Sequence, residues 1–160
     1  MTGLPQVGGA EVVVAARPEQ VWAVLSDVTR VGEWSGECRG AGWLDGATAV
    51  APGVRFRGTN RVRWIRWARI SSVEHVDPGR ELRWLTHGPA PMWDSTEWTV
   101  RLDPEGEGTR IRQDFRVVSL PAFWERVFAL LIPEHHDRTA GLAADLRRLG
   151  DVAARSLSRR

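Results

Sequence analysis

The C-terminal part of the chain, residues 121–153, carries the longest run of apolar residues at helical spacing. Four aliphatic residues in it recur three or four positions apart and share one face of a helix: Leu142, Leu146, Leu149 and Ala153. Towards the N-terminus the same face reaches Thr139, Arg138 and His135, which are polar. This pattern predicts a helix that packs on the core at its C-terminal end and covers a ligand cavity at the other.

Pro133 interrupts this segment, because proline lacks a backbone donor and disfavours a continuous helix. We therefore expect two helical pieces that meet at Pro133. Residues 142–153 would anchor the segment to the rest of the protein by apolar contacts. Residues 123–139 would govern access to the cavity.

Most of the preceding chain alternates between apolar and polar residues, with turn signals between the alternating runs. This pattern predicts β-strands over residues 11–16, 37–44, 53–62, 67–76, 80–87, 93–102 and 109–118. Pro18 can begin a short helix that ends near Asp27, and residues 28–34 predict a second short helix. We expect a single domain over residues 1–160, with a core at 11–153, and termini, including residues 1–9, that fray.

Charge and composition exclude several classes of protein. The sequence pI is about 9.8, but the chain lacks Lys and Tyr, and its net charge is only +2, so nucleic-acid binding is not expected. The single cysteine, Cys38, excludes an internal disulfide, and the four His residues lack metal-ligand spacing, so no metal site is expected. Neither a glycine-rich phosphate loop nor a hydrolase elbow is present, and no cofactor is expected.

No apolar run approaches the length that spans a membrane, and no secretory signal is visible. These features predict a cytoplasmic protein without membrane insertion. The sequence leaves the oligomeric state open between a monomer and a homodimer.

Several short motifs occur in an order that resembles the SRPBCC (START-like) superfamily. They are Pro18 with Val21-Trp22, Leu25-Ser26-Asp27, Trp34, Phe56-x-Gly-x-Asn60, the pair Trp64 and Trp67, Glu97-Trp98 with Leu102, and Gly108-Thr109-Arg110. The resemblance covers about residues 12–149. It implies an α+β helix-grip fold, in which a curved antiparallel sheet of about seven strands wraps around a long C-terminal helix and encloses a cavity for a hydrophobic small molecule. The bacterial members with the most similar pattern are described as polyketide cyclases or dehydrases.

Strand alternation nominates the residues that face this cavity. The candidate ligand-binding residues are Trp34, Phe56, Asn60, Trp67, Trp84, Trp98, Gln113 and Phe115. Asn60 and Gln113 could instead satisfy backbone groups of the sheet. The nine Trp residues could also fill the interior completely, which would leave no cavity.

Three residues are candidates for catalysis: Arg69, Asp94 and His135. Arg69 or Asn60 would stabilise an enolate oxygen. Arg69 would do so only if its side chain points inward, and a β-bulge would turn it outward. His135 or Asp94 would move a proton, and Asp94 could also orient His135, unless the histidine faces solvent beside His136. Other carboxylates, Glu97 and Asp114, fall on the outward face.

Two functions remain open from the sequence. The protein could be a polyketide cyclase or dehydratase, which folds a poly-carbonyl chain and catalyses aldol cyclisation and dehydration. It could instead be a non-catalytic carrier or sensor of a lipid or aromatic metabolite.

Overall fold

The computed structural model of the protein describes residues 3–156. Seven antiparallel strands form one sheet in the order β1-β7-β6-β5-β4-β3-β2. The strands are β1 Val7–Val14, β2 Cys38–Trp43, β3 Arg55–Val62, β4 Ile65–Asp77, β5 Glu81–His87, β6 Ser95–Glu105 and β7 Gly108–Ser119. From β2 to β7 each strand pairs with the next one in the chain, and β1 pairs with β7. This arrangement confirms the predicted α+β helix-grip fold.

Two short helices connect β1 to β2, as the sequence predicts. Helix α1, Pro18–Leu25, begins with proline at its first position, where the missing backbone donor costs nothing. A 3₁₀ helix, Val28–Glu33, follows, and the Asp27 side chain caps it by accepting a hydrogen bond from the Thr29 backbone N–H at 3.1 Å. Both helices bury aliphatic side chains: Val21, Val24, Leu25 and Val28.

The C-terminal segment is divided at Pro133, as predicted. Helix α2 spans Ala122–Leu131, a second 3₁₀ helix spans Pro133–His136, and α3 spans Thr139–Arg155. Ile132 lies at φ −128° and ψ 74°, outside the helical region, because a residue before proline is sterically pushed towards extended conformations. The break allows α2 and α3 to take different directions over the sheet.

Helix α3 is the anchor of the core, and it lies against β1, α1 and β7. Its predicted apolar face is buried: Leu142, Leu146, Leu149 and Ala153 are each less than 9% exposed. The contact with β1 is so close that a Cβ atom added at Gly150 would lie 2.4 Å from Val14 Cγ1. Glycine at this position therefore sets the distance between the helix and the strand.

All seven predicted strands form, but their boundaries differ from the predicted ones, most of all in β1 and β6, which span Val7–Val14 and Ser95–Glu105. The predicted fraying of residues 1–9 is wrong for Val7, Gly8 and Gly9, which pair with β7 as the first part of β1. β4 begins at Ile65 rather than at Trp67. Fraying predicted for residues 1–2 and 157–160 concerns positions outside the described residues.

Pairing shifts, which mark β-bulges or irregularities, occur at Cys38/Gly40, Val73/His75 and Ser95/Thr96. Each one locally changes which residues of two strands lie opposite each other. In β4 the shift follows Val73, so the inward alternation of the preceding residues is preserved.

Across residues 3–156 no helix combines the length and the apolar character needed to cross a membrane.

Gly150→Ala is expected to destabilise the protein, although alanine favours helix by about 1 kcal/mol over glycine. The added methyl group meets Val14, and overpacking of this kind costs about 1–3 kcal/mol. The free energy of unfolding, measured by urea denaturation, tests this expectation. Gly141→Ala is the matched control in the same helix, because nothing lies within 4 Å of its added Cβ, and it should be neutral or stabilising. Equal effects of the two substitutions would contradict the close contact.

Candidate ligand-binding and active site

A cavity of about 340 Å³ lies between the concave face of the sheet and the C-terminal segment. The sheet contributes inward residues from β2 to β7, and the cover contributes Phe128, Leu131, Ile132 and His135. Its volume falls in the range of small-molecule sites, which are concave and mostly apolar. The interior is therefore not filled by the Trp residues, and the interpretation of a solid aromatic core is wrong.

Aromatic rings form one band of the cavity floor, because Trp84, Trp98 and Phe115 lie opposite one another on β5, β6 and β7. The Trp84 and Trp98 rings are stacked with centroids 6.5 Å apart and an interplanar angle of 15°. The Trp98 and Phe115 centroids are 5.5 Å apart. This band offers a flat apolar surface to a planar ligand.

A band of hydroxyl groups lies next to the aromatic band. Thr96, Thr86 and Ser71 lie opposite one another on β6, β5 and β4. Thr96 and Thr86 are two residues along their strands from Trp98 and Trp84, and Ser71 is two residues from Val73, which pairs with Trp84. The Ser71 and Thr86 hydroxyls are hydrogen-bonded at 2.9 Å. The floor therefore changes from apolar to polar along the strands.

A buried ion pair continues the polar part of the cavity. Arg69 Nη2 lies 3.5 Å from Asp94 Oδ2, and the two side chains are only 11% and 16% exposed. Burial lowers the pKa of the Arg69 guanidinium, while the charges of Asp94 and Glu37 act in the opposite direction. Arg69 also lies 6.0 Å from the ring centroid of Phe128 in the cover, so it contacts both walls.

A second charged cluster joins the sheet to the cover. His135 Nε2 lies 3.1 Å from Glu37 Oε1, and Arg138 Nη1 lies 3.8 Å from Glu37 Oε2. The Arg138 guanidinium also lies above the aromatic band, 5.6 Å from the Trp98 ring centroid and 5.7 Å from that of Phe115. One carboxylate thus links a histidine and an arginine of the C-terminal segment to the start of β2.

Burial and charge act against each other on Glu37. Burial raises the pKa of its carboxyl group, but the hydrogen bond with His135 and the charges of Arg138, His135 and Arg69 outweigh burial, so the net pKa is lowered. Burial is also the main cause that lowers the pKa of Arg138. Glu37 is therefore ionised at neutral pH and accepts hydrogen bonds only.

Three buried polar atoms of cavity-lining residues have no hydrogen-bond partner among the described residues: Trp34 Nε1, Asp94 Oδ1 and Gln113 Oε1. The first is a donor and the other two are acceptors when Asp94 is ionised. Because unsatisfied buried polar groups cost free energy, a ligand that supplies the matching groups gains affinity from them.

The structure places all of the predicted site residues on the cavity wall, including Trp34, Phe56, Asn60, Trp67 and Gln113. Their functional roles stay predictions. His135 does not face solvent, since its side chain is only 12% exposed. Asp94 pairs with Arg69 and not with His135, so its predicted orienting role is wrong.

The outward assignments are also consistent with the contacts. Glu97 pairs with Arg116 and Asp114 pairs with Arg112, and all four are exposed or half-buried on the convex face. Among the described residues no group of three or more His, Cys, Asp or Glu side chains is placed to hold a metal ion.

Glu37 and Arg138 are the site residues that sequence reasoning missed as candidates. Arg138 lies on the polar extension of the apolar helical face, and this position could have identified it as a cavity residue. Glu37 carried no such signal, because its partner His135 is 98 residues away in the chain.

Comparisons with known proteins agree with this architecture. The family model described as polyketide cyclase / dehydrase and lipid transport matches residues 9–151. No curated protein matches the sequence significantly.

Similar solved structures share the fold at low sequence identity. TTHA0849 from Thermus thermophilus has a TM-score of 0.71 at 18% identity, covering 94% of this chain and 98% of its own. CV1439 from Chromobacterium violaceum has a TM-score of 0.68 at 15% identity with the same coverage. The polyketide-cyclase-like protein Cgl2372 from Corynebacterium glutamicum has a TM-score of 0.59 at 21% identity, covering 97% of this chain and 95% of its own.

Acidification tests the charged cluster. Because folding lowers the pKa of Glu37, its ionised form stabilises the protein above the pKa of the unfolded state, and this contribution is lost as pH falls through the folded value. The free energy of unfolding, measured by urea denaturation between about pH 6 and pH 3, should therefore fall more steeply for the unaltered protein than for Glu37→Gln.

In His135→Ala, which removes a hydrogen-bond partner, the pKa of Glu37 measured by NMR titration should rise. An unchanged pKa would show that the contact with His135 is not formed in solution.

Proposed function

The chain belongs to the polyketide cyclase / dehydrase and lipid transport family, and on this basis we propose that it binds a polycyclic or polyketide-like molecule in its cavity and catalyses aldol cyclisation and dehydration. The observation that carries the catalytic part is the contact of His135 with Glu37 inside an aromatic cavity. A histidine held by a carboxylate is a common acid/base arrangement, and here it lies at the wall of a space that can hold a substrate.

The graded floor of the cavity supports a ligand that is flat, apolar and oxygenated. Its rings or folded carbon chain would stack on Trp84, Trp98 and Phe115. Its oxygen atoms would meet the hydroxyl band and the Arg69–Asp94 pair. A flexible poly-carbonyl chain confined there is held close to the shape of the cyclised product, and this ordering itself lowers the barrier.

Glu37 supports a basic role for His135 through its effect on the imidazole tautomer. An ionised carboxylate only accepts hydrogen bonds, so the proton of a neutral His135 lies on Nε2, towards Glu37. The other ring nitrogen, Nδ1, then keeps its lone pair and is able to accept a proton. Glu37 would also stabilise the imidazolium that forms when His135 does so.

The proposed reaction is an intramolecular aldol condensation. His135 Nδ1 takes a proton from the carbon next to one carbonyl group, and the resulting enolate carbon bonds to the carbon of a second carbonyl group. The alkoxide formed is protonated by the imidazolium. Loss of a second α-proton and of the hydroxyl group then releases water and leaves a conjugated enone, so no oxidant, reductant or further reactant is consumed.

Arg138 and Arg69 are the groups that would stabilise the enolate and alkoxide oxygens. Both guanidinium groups line the cavity, and burial in a site of low dielectric strengthens their interaction with a developing negative charge. Arg138 lies above the aromatic band, so its guanidinium group would lie close to a substrate that is stacked there.

A non-catalytic carrier is the second candidate function, and one specific observation favours it. Glu37 also binds Arg138, and together the His135 and Arg138 contacts join the C-terminal segment to the start of β2. The same residues would hold the cover closed over a carried ligand without performing chemistry. The two candidate functions therefore differ only in whether the bound molecule is changed.

Turnover of a model diketone separates the two functions. The probe is 1-phenylhexane-1,5-dione, whose intramolecular condensation gives 3-phenylcyclohex-2-enone and is followed by ultraviolet absorption. We expect the protein to accelerate this reaction and His135→Asn to slow it by about 10²–10⁴-fold, the usual contribution of general acid/base catalysis.

The matched control for His135→Asn is His75→Asn. His75 also lies near a glutamate, since its Nε2 is 4.0 Å from Glu81 Oε1, but it does not line the cavity. The control variant should keep the full rate. If the unaltered protein binds the diketone and releases it unchanged, the carrier function is favoured and the proposed chemistry fails.

Ligand binding is tested with the fluorescent apolar probe 1-anilinonaphthalene-8-sulfonate. Trp98→Leu removes the central ring of the aromatic band and should weaken binding of the probe by about tenfold. Trp93→Leu removes a ring of the same size that is 66% exposed and does not line the cavity, and it should leave the affinity unchanged. Equal affinities of the two variants would place the binding site outside the cavity.

A further inference from the structure

Helix α2 has an unusual surface for a helix that is open to solvent. Eight of its ten residues are apolar, as its sequence AFWERVFALL shows, yet none of them is buried. Phe128 and Leu131 line the cavity on its inner side, while Phe123 and Leu130 are 67% and 81% exposed. Exposed apolar groups of this size normally have a partner, so Phe123 and Leu130 on the outer side of α2 indicate a contact with another apolar body.

The β3–β4 hairpin presents a second exposed group beside α2. Its two turn residues are Arg63 and Trp64, and the Trp64 side chain is 77% exposed. Arg63 adopts φ 54°, a left-handed conformation in which glycine or asparagine is preferred. An arginine in this conformation costs the folded protein about 1 kcal/mol of backbone strain. Because glycine would avoid this cost, the turn indicates that the side chains of Arg63 and Trp64 have a function.

Positive charge is concentrated on the same hairpin. Arg61 and Arg66 lie directly opposite each other on β3 and β4, and like charges in this position repel. Among the described residues, Arg61, Arg66 and the exposed Arg126 of α2 have no carboxylate within 4.0 Å, whereas Arg63 pairs with Glu134. An anionic partner would relieve this repulsion.

Two hydrogen bonds bring the exposed segments together around the cavity cover. Arg63 Nη2 donates to the Leu131 carbonyl at 2.8 Å, which ties the hairpin to the end of α2. Ser119 Oγ donates to the Trp93 carbonyl at 3.3 Å, which ties the β5–β6 loop to the strand end that leads into α2. The result is an apolar rim formed by Trp64, Trp93, Phe123, Leu130 and Leu131.

We propose that the apolar rim docks on the surface of an anionic lipid bilayer. Aromatic and leucine side chains enter the interface between headgroups and acyl chains, while arginines on long aliphatic stems reach the lipid phosphates. The rim supplies the apolar side chains, and Arg61, Arg66 and Arg126 on the adjoining hairpin and helix supply the positive charge. This is peripheral binding, in which no segment crosses the membrane.

A second copy of the chain fits this surface less well. In a two-fold symmetric contact the same patch lies on both sides, so the arginines of both copies would be brought into one interface without added negative charge. An acidic protein would satisfy the charges, but it would have to carry apolar pockets for rings on three separate segments. A bilayer accommodates them without such complementarity.

Docking at this surface would place the cover of the cavity against a reservoir of apolar molecules. Phe128 and Leu131 are the inner face of α2, and Leu130 beside them is the outer face, so one helix contacts both the cavity and the bilayer. The inference does not rest on the proposed chemistry, since a carrier and an enzyme would both gain access to a hydrophobic ligand in this way.

Vesicle co-sedimentation tests the inference with the full chain. The vesicles are phosphatidylcholine alone and phosphatidylcholine with about 30% phosphatidylserine. We expect binding to the second type, weakened by salt. Arg66→Glu and Trp64→Ser should each lower the partition coefficient by about tenfold.

Matched controls lie on surfaces away from the rim. Arg57→Glu reverses an exposed arginine on the same strand as Arg61, and Val13→Ser removes an apolar side chain on β1 that is 55% exposed. Both should bind as the unaltered protein does, and circular dichroism verifies that every variant is folded.

Three results would overturn the proposal. They are the absence of binding to anionic vesicles, losses of equal size in the rim and control variants, and a homodimer in analytical ultracentrifugation that Trp64→Ser dissociates. The last result would assign the rim to a second copy of the chain. Binding of 1-anilinonaphthalene-8-sulfonate in the cavity is measured separately, so failure of docking and failure of the proposed function are distinguishable.

Discussion

The contact between α3 and the β1 side of the sheet determines where the protein has a core and where it has a cavity. Gly150 allows α3 to lie directly on Val14, and the aliphatic face around Leu146 and Leu149 fills the space between β1, β7 and α1. Since α3 is committed to this side, it does not cover the concave faces of β3, β4 and β5. Those faces curve away, and α2 and the second 3₁₀ helix lie over them with a cavity in between.

The polar groups of the cavity are arranged so that each buried positive charge has a negative neighbour. Arg69 lies near Asp94, and Arg138 lies near Glu37, which also binds His135. Buried ion pairs of this kind seldom add net stability, because removing two charges from water costs as much as their attraction returns. Their presence among aromatic rings is better explained by a ligand whose oxygen atoms interact with them than by a need of the fold.

Alternation of residue types predicted the strands and the inward face of the sheet for a physical reason, whereas the helix-grip arrangement was implied by the resemblance to a known family. The period of two along a strand is strict unless a bulge intervenes, and in β4 the irregularity follows Val73, beyond Arg69 and Ser71. Arg69 therefore keeps its inward direction, and the outward alternative is wrong. The division of the C-terminal segment at Pro133 could be predicted for a similar reason. Proline restricts its own backbone and that of the preceding residue, whatever the rest of the fold does.

The contacts within the site could not be predicted in the same way. The partner of His135 depends on how the second 3₁₀ helix lies over the start of β2, which is a tertiary arrangement without a periodic signal. Polarity and an inward position make Asp94 a candidate partner for His135, but Arg69 lies closer and has the opposite charge. Helical spacing placed His135 on the cavity face as though the helix were continuous, and the structure places it there through the break at Pro133 instead.

Access to the cavity and the proposed chemistry depend on the same few contacts. Glu37 holds His135 and Arg138, while Arg63 holds Glu134 and the Leu131 carbonyl, so the segment around Pro133 is fastened to the sheet at two points. Opening this cover would separate His135 from Glu37 and would remove the group that keeps its proton on Nε2. A substrate would therefore meet a correctly oriented base only when the cover is closed and water is excluded, which is the condition that a reactive enolate requires.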